Sequence, residues 1–338
     1  MKTKRYLVTG GMGFIGSALV CRLMKLGHKV TVLDNASRGS LERLRDMVHD
    51  VTYANNIEII NADIRNRESV LDACKDVDCV CHLAFINGTE FFYTKPEIVL
   101  EVGIKGIANV IDGCIKNGVR ELMVTSSSEV YQTPNVVPTD EKVAMSIPDP
   151  LNPRYSYAGG KIISELMAIN FGRRYFERVV IIRPHNVYGP NMGWEHVIPQ
   201  FVLRMKKLKE LNSDNKIRFE IQGTGKQTRA FIFINDFIDG LMLAMEKGEH
   251  IGIYNIGTMD EITIEKVVIE VGKYFGIGSN DITIVPGAYA EGGTPRRCPD
   301  ITKLRKLGYE PNVSLQEGLK ITAKWYDENS ELKIKEIK

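Results

Sequence analysis

The sequence predicts an α/β protein whose first half forms a doubly wound parallel sheet. Short apolar runs alternate with helical stretches up to about residue 182, which is the order that builds strand–helix–strand units. Several of these runs are apolar throughout, as expected for strands that helices cover on both faces. Beyond residue 183 the strict alternation ends and Pro and Gly become frequent, which predicts a smaller mixed α/β unit.

The elements follow in chain order. The strands predicted in the first half are Arg5–Thr9, Lys29–Leu33, Ile57–Ile60, Val77–Leu83, Glu121–Thr125 and Arg178–Ile182. The helices predicted there are Ile15–Leu26, Arg67–Cys74, Pro96–Asn117 and Tyr157–Phe176. The clearest helical stretches of the second half are Val197–Lys209, Thr263–Phe275 and Ser314–Trp325.

The composition excludes several classes of protein. The 338 residues carry a net charge of +2, so no overall field attracts nucleic acid or an anionic membrane. No apolar run is long enough to span a bilayer. The six cysteines form no CxxC pair and the six histidines no HExxH pattern. We therefore expect no metal site, reduced thiols and a cytoplasmic location.

A glycine-rich turn follows the first predicted strand. It reads TGGMGFIGS and fits G-x-x-G-x-x-G through Gly10, Gly13 and Gly16. Glycines permit the tight turn and the close approach of a pyrophosphate, and the next helix offers free N–H groups. Asp34 ends the second strand, where its carboxylate would bind a ribose diol and repel a 2′-phosphate. The sequence therefore predicts a Rossmann-like domain that binds NAD rather than NADP.

A second carboxylate follows the third strand. Asp63 lies in the segment NADI. Two roles are open to it, since it could reach the adenine edge or cap the next helix.

A tyrosine and a lysine at helical spacing indicate acid–base chemistry. Tyr157 and Lys161 occur in YAGGK, so the phenol and the ammonium share one helix face. A nearby lysine and an oxidised nicotinamide would favour the phenolate, which makes Tyr157 a general base for an alcohol proton. Gly159 and Gly160 cost about 1 kcal/mol each in a helix, which suggests that this backbone packs closely against another group.

The fifth predicted strand ends in the polar stretch TSSSEVYQTP, Thr125–Pro134. Such hydroxyls can simply satisfy nearby backbone groups. Ligands, however, bind at the carboxyl edge of open parallel sheets. A serine there can hydrogen-bond a substrate hydroxyl beside Tyr157, and Glu129 can add a second acid–base group.

At these residues the chain resembles the extended short-chain dehydrogenases/reductases that modify nucleotide sugars. The resemblance runs almost end to end. Its segments are TGGMGFIGS, VLDN, NADI, HLA, SSSEVY, YAGGK, RPHNVYGP, GTGKQTRAFIFINDFIDG, YNIGT and RRCPDITKLRKLGYEP. By analogy, it implies a homodimer packed through the helices Pro96–Asn117 and Tyr157–Phe176.

The resemblance also implies roles for the matching residues. The implied catalytic residues are Ser127, Glu129, Tyr157 and Lys161. The residues implied to bind the substrate diphosphate are Asn186, Arg229 and Arg297. The implied NAD-binding residues are Gly10, Gly13, Phe14, Ile15, Gly16, Asp34, Asn35, Asp63, Ile64, Leu83, Ala84, Tyr157 and Lys161.

The chemistry that the resemblance implies begins with oxidation at C4 of the sugar. Tyr157 takes the proton of the 4-hydroxyl and NAD takes the hydride, which gives a 4-keto sugar. The segment SSEVY is most similar to the T-S-E-x-Y pattern of GDP-mannose dehydratases and UDP-glucuronate decarboxylases. Glu129 therefore favours 4,6-dehydration, decarboxylation or release of the 4-keto sugar over the alternative, 4-epimerisation. A non-catalytic NAD-binding sensor is the alternative from another class, and the intact trio disfavours it.

Several residues depart from the family pattern. The pattern HLAA ends in Phe85, and Gly103 replaces the asparagine of N-V-x-G-T. His185 replaces a typical aromatic and Gln132 a typical glycine. The unusual segment Ile86–Tyr93 is expected to line the sugar pocket. These departures favour an uncommon sugar, such as a heptose or an amino sugar, linked to UDP or GDP.

The domain organisation follows from these assignments. Residues 1–182 are predicted to bind NAD, with a return segment at about 228–258. Residues 183–338 are predicted to bind the nucleotide sugar.

Overall fold

The computed structural model describes residues 3–49, 56–212, 216–288 and 294–331. Its strands are β1 (Arg5–Thr9), β2 (Lys29–Asp34), β3 (Ile57–Asn61), β4 (Cys79–His82), β5 (Glu121–Thr125), β6 (Arg178–Pro184), β7 (Val187–Tyr188), β8 (Ile217–Ile221), β9 (Thr228–Ala230), β10 (Ile232–Phe233), β11 (Gly252–Ile256), β12 (Glu261–Thr263), β13 (Ile282–Pro286) and β14 (Arg296–Arg297). Its helices are α1 (Phe14–Lys25), α2 (Leu41–Val48), α3 (Arg67–Ala73), α4 (Thr89–Thr94), α5 (Pro96–Asn117), α6 (Ser156–Tyr175), α7 (Val197–Leu211), α8 (Ile234–Lys247), α9 (Ile264–Tyr274), α10 (Thr302–Arg305) and α11 (Leu315–Glu328).

A seven-stranded sheet forms the centre of the molecule, in the order β11-β6-β5-β4-β1-β2-β3. Every neighbouring pair in it runs parallel. The strand order reverses at β1, which has β4 on one side and β2 on the other. Such a reversal opens a crevice at the carboxyl ends of the strands. The predicted doubly wound parallel sheet is confirmed.

Helices cover both faces of this sheet. On one face α3, α5 and α6 pack over a core that includes Ile107 and Val179. On the other face α1 and α8 pack over a core that includes Leu19 and Leu241. Burial on both faces explains why the strands are apolar at successive positions. In the described part of the chain, no helix has both the length and the apolar character needed to cross a membrane.

The structure contains several helices and strands that were not predicted, including β11, α2 and α4. The strand β11 was not predicted, although it lies inside the segment 228–258, and it pairs with β6 at the edge of the sheet. The helix α2 is short and polar, and its main signal is Ser40, whose hydroxyl accepts a hydrogen bond from the N–H of Arg43 at 3.0 Å. The helix α4 lies in a stretch to which the hydrophobic periodicity assigned no helix or strand.

The second half of the chain packs against the α1 and α8 face. The strands β8 and β13 pair in parallel, and β9 pairs with both β12 and β14. Phe201, Phe219 and Val268 belong to the same apolar core as the residues of α1. The predicted boundary after residue 182 falls inside β6. The division into two domains therefore stays a prediction.

Candidate active site

The glycine turn places the start of α1 against the crevice. Gly10 has a φ of +74°, and a Cβ added there would lie 2.7 Å from the backbone nitrogen of Ala84. A Cβ at Gly16 would collide with the carbonyl oxygen of Gly10. No side chain caps α1, and its first turn carries no acidic residue. The free N–H groups at this helix end are therefore available to a pyrophosphate, as the NAD prediction requires.

Asp34 lies at the carboxyl end of β2, where a ribose would bind. Its two carboxylate oxygens accept hydrogen bonds from the N–H groups of Met12, at 2.9 Å, and Ala36, at 2.8 Å. Burial raises the pKa of Asp34, although these N–H groups favour the ionised form. The two bonds fix the orientation of the carboxylate toward the crevice.

Asp63 does not cap the following helix. The cap of α3 is Asn66, whose side chain accepts from the N–H of Ser69. Asp63 instead accepts hydrogen bonds from Arg65 and, at 2.9 Å, from the amide of Asn35. The hydrogen bonds from Arg65 lower the pKa of Asp63 to about 2. Of the two roles open to Asp63, the helix cap is wrong, and the adenine-edge role stays a prediction.

Two connected clefts run along the carboxyl edge of the sheet. The smaller, of about 240 Å³, is called the adenine-side cleft here and includes Asp34 and Asp63 in its lining. The larger, of about 430 Å³, is called the main cleft. The predicted NAD-binding residues that line one or both clefts are Gly10, Gly13, Phe14, Ile15, Gly16, Asp34, Asn35, Asp63, Ile64, Leu83, Ala84, Tyr157 and Lys161. The residues therefore fit a dinucleotide laid along the crevice.

Tyr157 lies in the wall of the main cleft between two aromatic rings. Phe92 stacks on its ring at a centroid distance of 4.9 Å, and Phe85 meets it at 5.1 Å and 82°. Burial raises the pKa of Tyr157, the hydroxyl of Ser127 lowers it, and the charge of Glu129 raises it. The net pKa is above the ordinary value, so a further positive charge is needed to make the phenolate a base at neutral pH.

Lys161 follows Tyr157 by one helical turn, as predicted. Its ammonium donates a hydrogen bond of 2.6 Å to the carbonyl oxygen of Thr125 and lies 5.8 Å from the centroid of the Tyr157 ring. Burial lowers the pKa of Lys161 to about 7, and the charge of Glu165 opposes that effect. The lysine is therefore close to the protonation change that an acid–base site requires.

The serines after β5 satisfy nearby polar groups, and the substrate-binding role considered for them stays a prediction. Ser126 donates to the carboxylate of Glu165 behind the site. The hydroxyl oxygen of Ser127 accepts from the N–H of Glu129 at 3.1 Å, which caps the short 3₁₀ turn Ser128–Tyr131. A hydroxyl that accepts one bond still has its proton to donate, so Ser127 can also bind a substrate oxygen in the main cleft.

Glu129 forms an ion pair with Arg297. The guanidinium nitrogen lies 2.7 Å from the carboxylate oxygen, and both residues line the main cleft. Burial raises the pKa of Glu129, but the charges of Arg297, Arg154 and Arg229 outweigh that effect and hold the pKa below its ordinary value. Glu129 is therefore a carboxylate at neutral pH.

The predicted diphosphate residues divide into two groups. Asn186 and Arg297 line the main cleft. Asn186 adopts a φ of +42°, and its amide donates to the carbonyl of Ala230 at 3.0 Å. Arg229 lies outside the described lining, on β9, directly opposite Arg297 of β14. It acts on the site through its charge.

Two of the departures lie behind the cleft wall. Gln132 has a φ of +52°, which explains why glycine is typical there, and its amide donates to the carbonyl of Glu129 at 2.6 Å. His185 is 1% exposed and contacts Asn255 through Nε2 at 3.2 Å. Neither belongs to the described lining of the main cleft, so they cannot contact a sugar directly there. The segment Ile86–Tyr93, in contrast, contributes Asn87, Gly88 and Phe92.

Sequence reasoning missed two arginines of the main cleft. Arg38 lies 4.6 Å above the ring of Phe91 and pairs with Glu195 at 3.3 Å. Arg43 is buried and donates to the carbonyl of Met12 at 3.2 Å. Arg38 and Arg43 follow Asp34 within nine residues. Their position beside the predicted pyrophosphate site was the signal that could have identified them.

A family model settles the relationship that the motifs indicate. The model described as "NAD dependent epimerase/dehydratase family" matches residues 6–257. The chain belongs to this family. One similar protein is the UDP-N-acetyl-α-D-glucosaminuronate decarboxylase of Bacillus cytotoxicus. It is 31% identical over 336 residues, which cover 96% of this chain and 98% of the relative.

Solved structures of the family share the fold. The UDP-glucose 4-epimerase of Thermotoga maritima, solved with UDP-glucose, has a TM-score of 0.82 and 28% identity, over 97% of this chain and 100% of its own. The dTDP-glucose 4,6-dehydratase DesIV of Streptomyces venezuelae, solved with NAD bound, has a TM-score of 0.83 and 27% identity, over 97% and 98%. The predicted family, the enzyme class, NAD as cofactor and NAD-dependent C4 oxidation of a nucleotide sugar are confirmed.

Proposed function

We propose that this enzyme oxidises C4 of a UDP-linked uronic acid and then removes the carboxyl group of the sugar as CO2. The observation that carries the proposal is the ion pair of Glu129 with Arg297 in the main cleft, beside Tyr157. Hydride transfer at C4 needs only the Ser127, Tyr157 and Lys161 trio. An additional ionised carboxylate held at the same rim supports a second chemical step.

The oxidation uses Tyr157 and Ser127. The phenolate of Tyr157 takes the proton of the 4-hydroxyl, while the Ser127 hydroxyl donates a hydrogen bond to the same oxygen. The glycine turn and Asp34 would hold NAD, which when bound would supply the hydride acceptor for C4 and a positive nicotinamide that favours the phenolate. Lys161 supplies the remaining support for the phenolate.

The second step breaks the bond between C5 and the carboxyl carbon. A 4-keto uronic acid is a β-keto acid, so the electrons of this bond move onto the C4 oxygen and CO2 leaves. The hydroxyls of Ser127 and Tyr157 stabilise the resulting enolate oxygen. A water molecule oriented by the Glu129 carboxylate gives a proton to C5 and regains one from bulk solvent, and Tyr157 later returns its proton to the C4 oxygen. In sum, one proton is taken up and one CO2 is released.

The ionised state of Glu129 favours decarboxylation over 4,6-dehydration. A dehydratase must protonate a departing hydroxyl, which requires a neutral carboxylic acid. The arginines near Glu129 outweigh its burial and lower its pKa, and the neighbouring Ser128 is no acid. A carboxylate with this environment suits a reaction that releases CO2 rather than water.

The charge around the cleft supports a uronic acid as substrate. Arg154, Arg229 and Arg297 all act on the carboxylate of Glu129, so three cations lie near this part of the cleft. A UDP-linked uronic acid brings a diphosphate and a carboxylate, which such a site attracts. The decarboxylase of Bacillus cytotoxicus, whose named substrate carries an N-acetyl group, supports an amino sugar as the uncommon sugar.

The proposal is tested by mass spectrometry of products formed in D2O. The enzyme, with NAD, is incubated with UDP-glucuronate, its 2-acetamido counterpart, UDP-glucose and GDP-mannose. We expect a product that lacks one CO2 and carries one deuterium at C5, from a uronate only. Glu129→Gln keeps the shape and the contact with Arg297, and we expect at least ~100-fold slower formation of the decarboxylated product with C4 oxidation retained. Loss of water from GDP-mannose or UDP-glucose would instead assign 4,6-dehydration.

The alternative, 4-epimerisation, has support from the fold of the Thermotoga maritima epimerase. It predicts a product of unchanged mass without deuterium at C5. It also predicts that Glu129→Gln retains activity, because Glu129 would then serve only to hold Arg297.

We also propose that two copies pack through α5 and α6. Two apolar side chains about one turn apart on α6 support this interface, since Ile163 and Leu166 are 36% and 46% exposed. Exposed apolar neighbours on one helix face are costly in water. Leu166→Glu is expected to give monomers in sedimentation experiments, whereas Leu151→Glu, at a loop position that is 90% exposed, is expected to leave the dimer intact.

We propose the cytosol as the site of this reaction. All six cysteines are free and buried, as suits a reducing compartment.

A further inference from the structure

Phe85 stands where the two clefts meet. It belongs to the lining of both the adenine-side cleft and the main cleft. It replaces the final alanine of the HLAA pattern, three residues beyond the end of β4. A large ring at this junction has contacts that an alanine could not make.

The ring of Phe85 contacts both members of the acid–base pair. The ammonium of Lys161 lies 4.1 Å from the ring centroid, which is within the range of a cation–π interaction. The ring of Tyr157 meets Phe85 edge to face, at 5.1 Å and 82°. Phe85 therefore fixes the lysine and the tyrosine relative to one another.

Two glycines make room for this ring between the long helices. A Cβ at Gly160 of α6 would lie 2.8 Å from Cζ of Phe85, and one at Gly103 of α5 would lie 2.6 Å from Cε2. Gly159 is different, because a Cβ there would meet only Ile147, at 3.8 Å. Of the two YAGGK glycines, only Gly160 therefore packs closely, and its neighbour is Phe85. Gly103 stands where the family pattern has its asparagine.

We propose that Phe85 is a positioning residue that holds the Lys161 ammonium and the Tyr157 phenol for C4 oxidation. The ring of Phe85 fills the space that a side chain at position 103 would otherwise occupy. The inference rests on the oxidation step of the proposed function, but not on the loss of CO2.

The charges around Lys161 and Tyr157 explain how the ring of Phe85 affects the ionisation of Tyr157. The groups that face the pair are Glu165 on α6, His82 on β4, and Ser127 and Glu129 beyond β5. His82 is neutral, because burial lowers its pKa to about 3. Burial likewise disfavours the charged form of Lys161, while a ring face favours it. Removing the ring therefore takes positive charge from beside Tyr157.

The test follows the ionisation of Tyr157 directly. In the NAD-bound enzyme, the ultraviolet absorbance of the phenolate is titrated for each protein, and the titration of the same protein with Tyr157→Phe added is subtracted. We expect Phe85→Leu to raise the pKa of Tyr157 by about 0.5–1 pH unit, and Phe85→Tyr, which keeps the ring, to restore it. Equal titration of wild type and Phe85→Leu would overturn the proposal. The readout needs no substrate, so it stays decisive if the decarboxylation proposal fails.

A matched pair of variants approaches the ring from α6. Gly160→Ala must displace Phe85, and we expect it to shift the titration in the same direction as Phe85→Leu. Gly159→Ala adds the same methyl group one residue away, and we expect no shift. Thermal unfolding of both variants verifies that each is folded. Equal shifts in the two variants would show that the helix, and not the ring, sets the ionisation, and would contradict the proposal.

Discussion

Glu165 and Arg183 form a salt bridge of 2.7 Å, with side chains that are 0% and 2% exposed. Arg183 donates to both carboxylate oxygens and, at 2.7 Å, to the hydroxyl of Tyr131. Tyr131 in turn donates to Asn255 at 2.9 Å. This buried network connects α6, β6 and β11 directly behind the catalytic rim.

Glu165→Gln is expected to lower the free energy of unfolding by about 3–5 kcal/mol, because it leaves the Arg183 guanidinium buried without a counter-charge. Urea denaturation measures this loss. Glu210→Gln, at an exposed position of α7, is the control and should change stability by less than about 0.5 kcal/mol. A loss below about 1 kcal/mol for Glu165→Gln would mean that the charge of Arg183 is compensated by other groups.

Tyr157→Phe should slow C4 oxidation by about 10²–10⁴-fold, because the phenol oxygen is the proposed base. NADH formation in a single turnover measures the step, and a titration with NAD should show affinity within a few-fold of wild type. Tyr175→Phe, on the exposed side of α6, should oxidise at the normal rate. Normal oxidation by Tyr157→Phe would remove Tyr157 from the mechanism and favour a different base.

Asp34→Ala should weaken NAD binding by about 10- to 100-fold, because hydrogen bonds to a charged group contribute about 1.5–3 kcal/mol. It should also raise the affinity for NADP relative to NAD, since the repulsion of a 2′-phosphate is lost. Parallel titrations with both dinucleotides measure the ratio. Asp46→Asn, in the exposed last turn of α2, should leave the ratio unchanged. An unchanged ratio in Asp34→Ala would place the ribose elsewhere.

Asp63 should contribute to the pH dependence of stability. Its pKa is about 2 in the folded protein, because Arg65 donates to it, against an ordinary value of 3.8. A lowered folded pKa stabilises the fold above the unfolded pKa, and the contribution disappears as the pH falls from about 4 to about 2. Wild type should therefore lose roughly 1–2 kcal/mol more than Asp63→Asn over this window. Urea unfolding of wild type and Asp63→Asn is measured at pH 5 and pH 3. Equal losses in the two proteins would mean that the ion pair of Asp63 with Arg65 does not stabilise the fold.

Much of the sheet and of the cofactor site follows from local sequence signals. The strand β5 is an apolar run, the glycine turn requires a φ of +74° at Gly10, and Tyr157 and Lys161 share a helix face by spacing alone. These features depend on neighbours in the chain, so the sequence is enough to predict them.

The features that sequence reasoning missed depend on contacts across the chain. Arg297 meets Glu129 from 168 residues away, and nothing near Glu129 indicates that its charge is held by that pair. The packing of Phe85 depends on Gly103 and Gly160, which lie on two other elements. β11 joins the sheet as a short run whose strand partner, β6, is distant in sequence. Each of these three features is set by contacts between residues that are distant in the sequence.

The place of β11 has a consequence during synthesis on the ribosome. β6 is an almost wholly apolar strand, and its outer edge pairs with β11. The edge of β6 therefore stays open until Gly252–Ile256 has been translated, which takes about 4–14 seconds at about 5–20 residues per second. An open apolar edge is a template for pairing with other chains. A nascent protein of this kind is open to edge-to-edge pairing until the last strand of its central sheet has been translated.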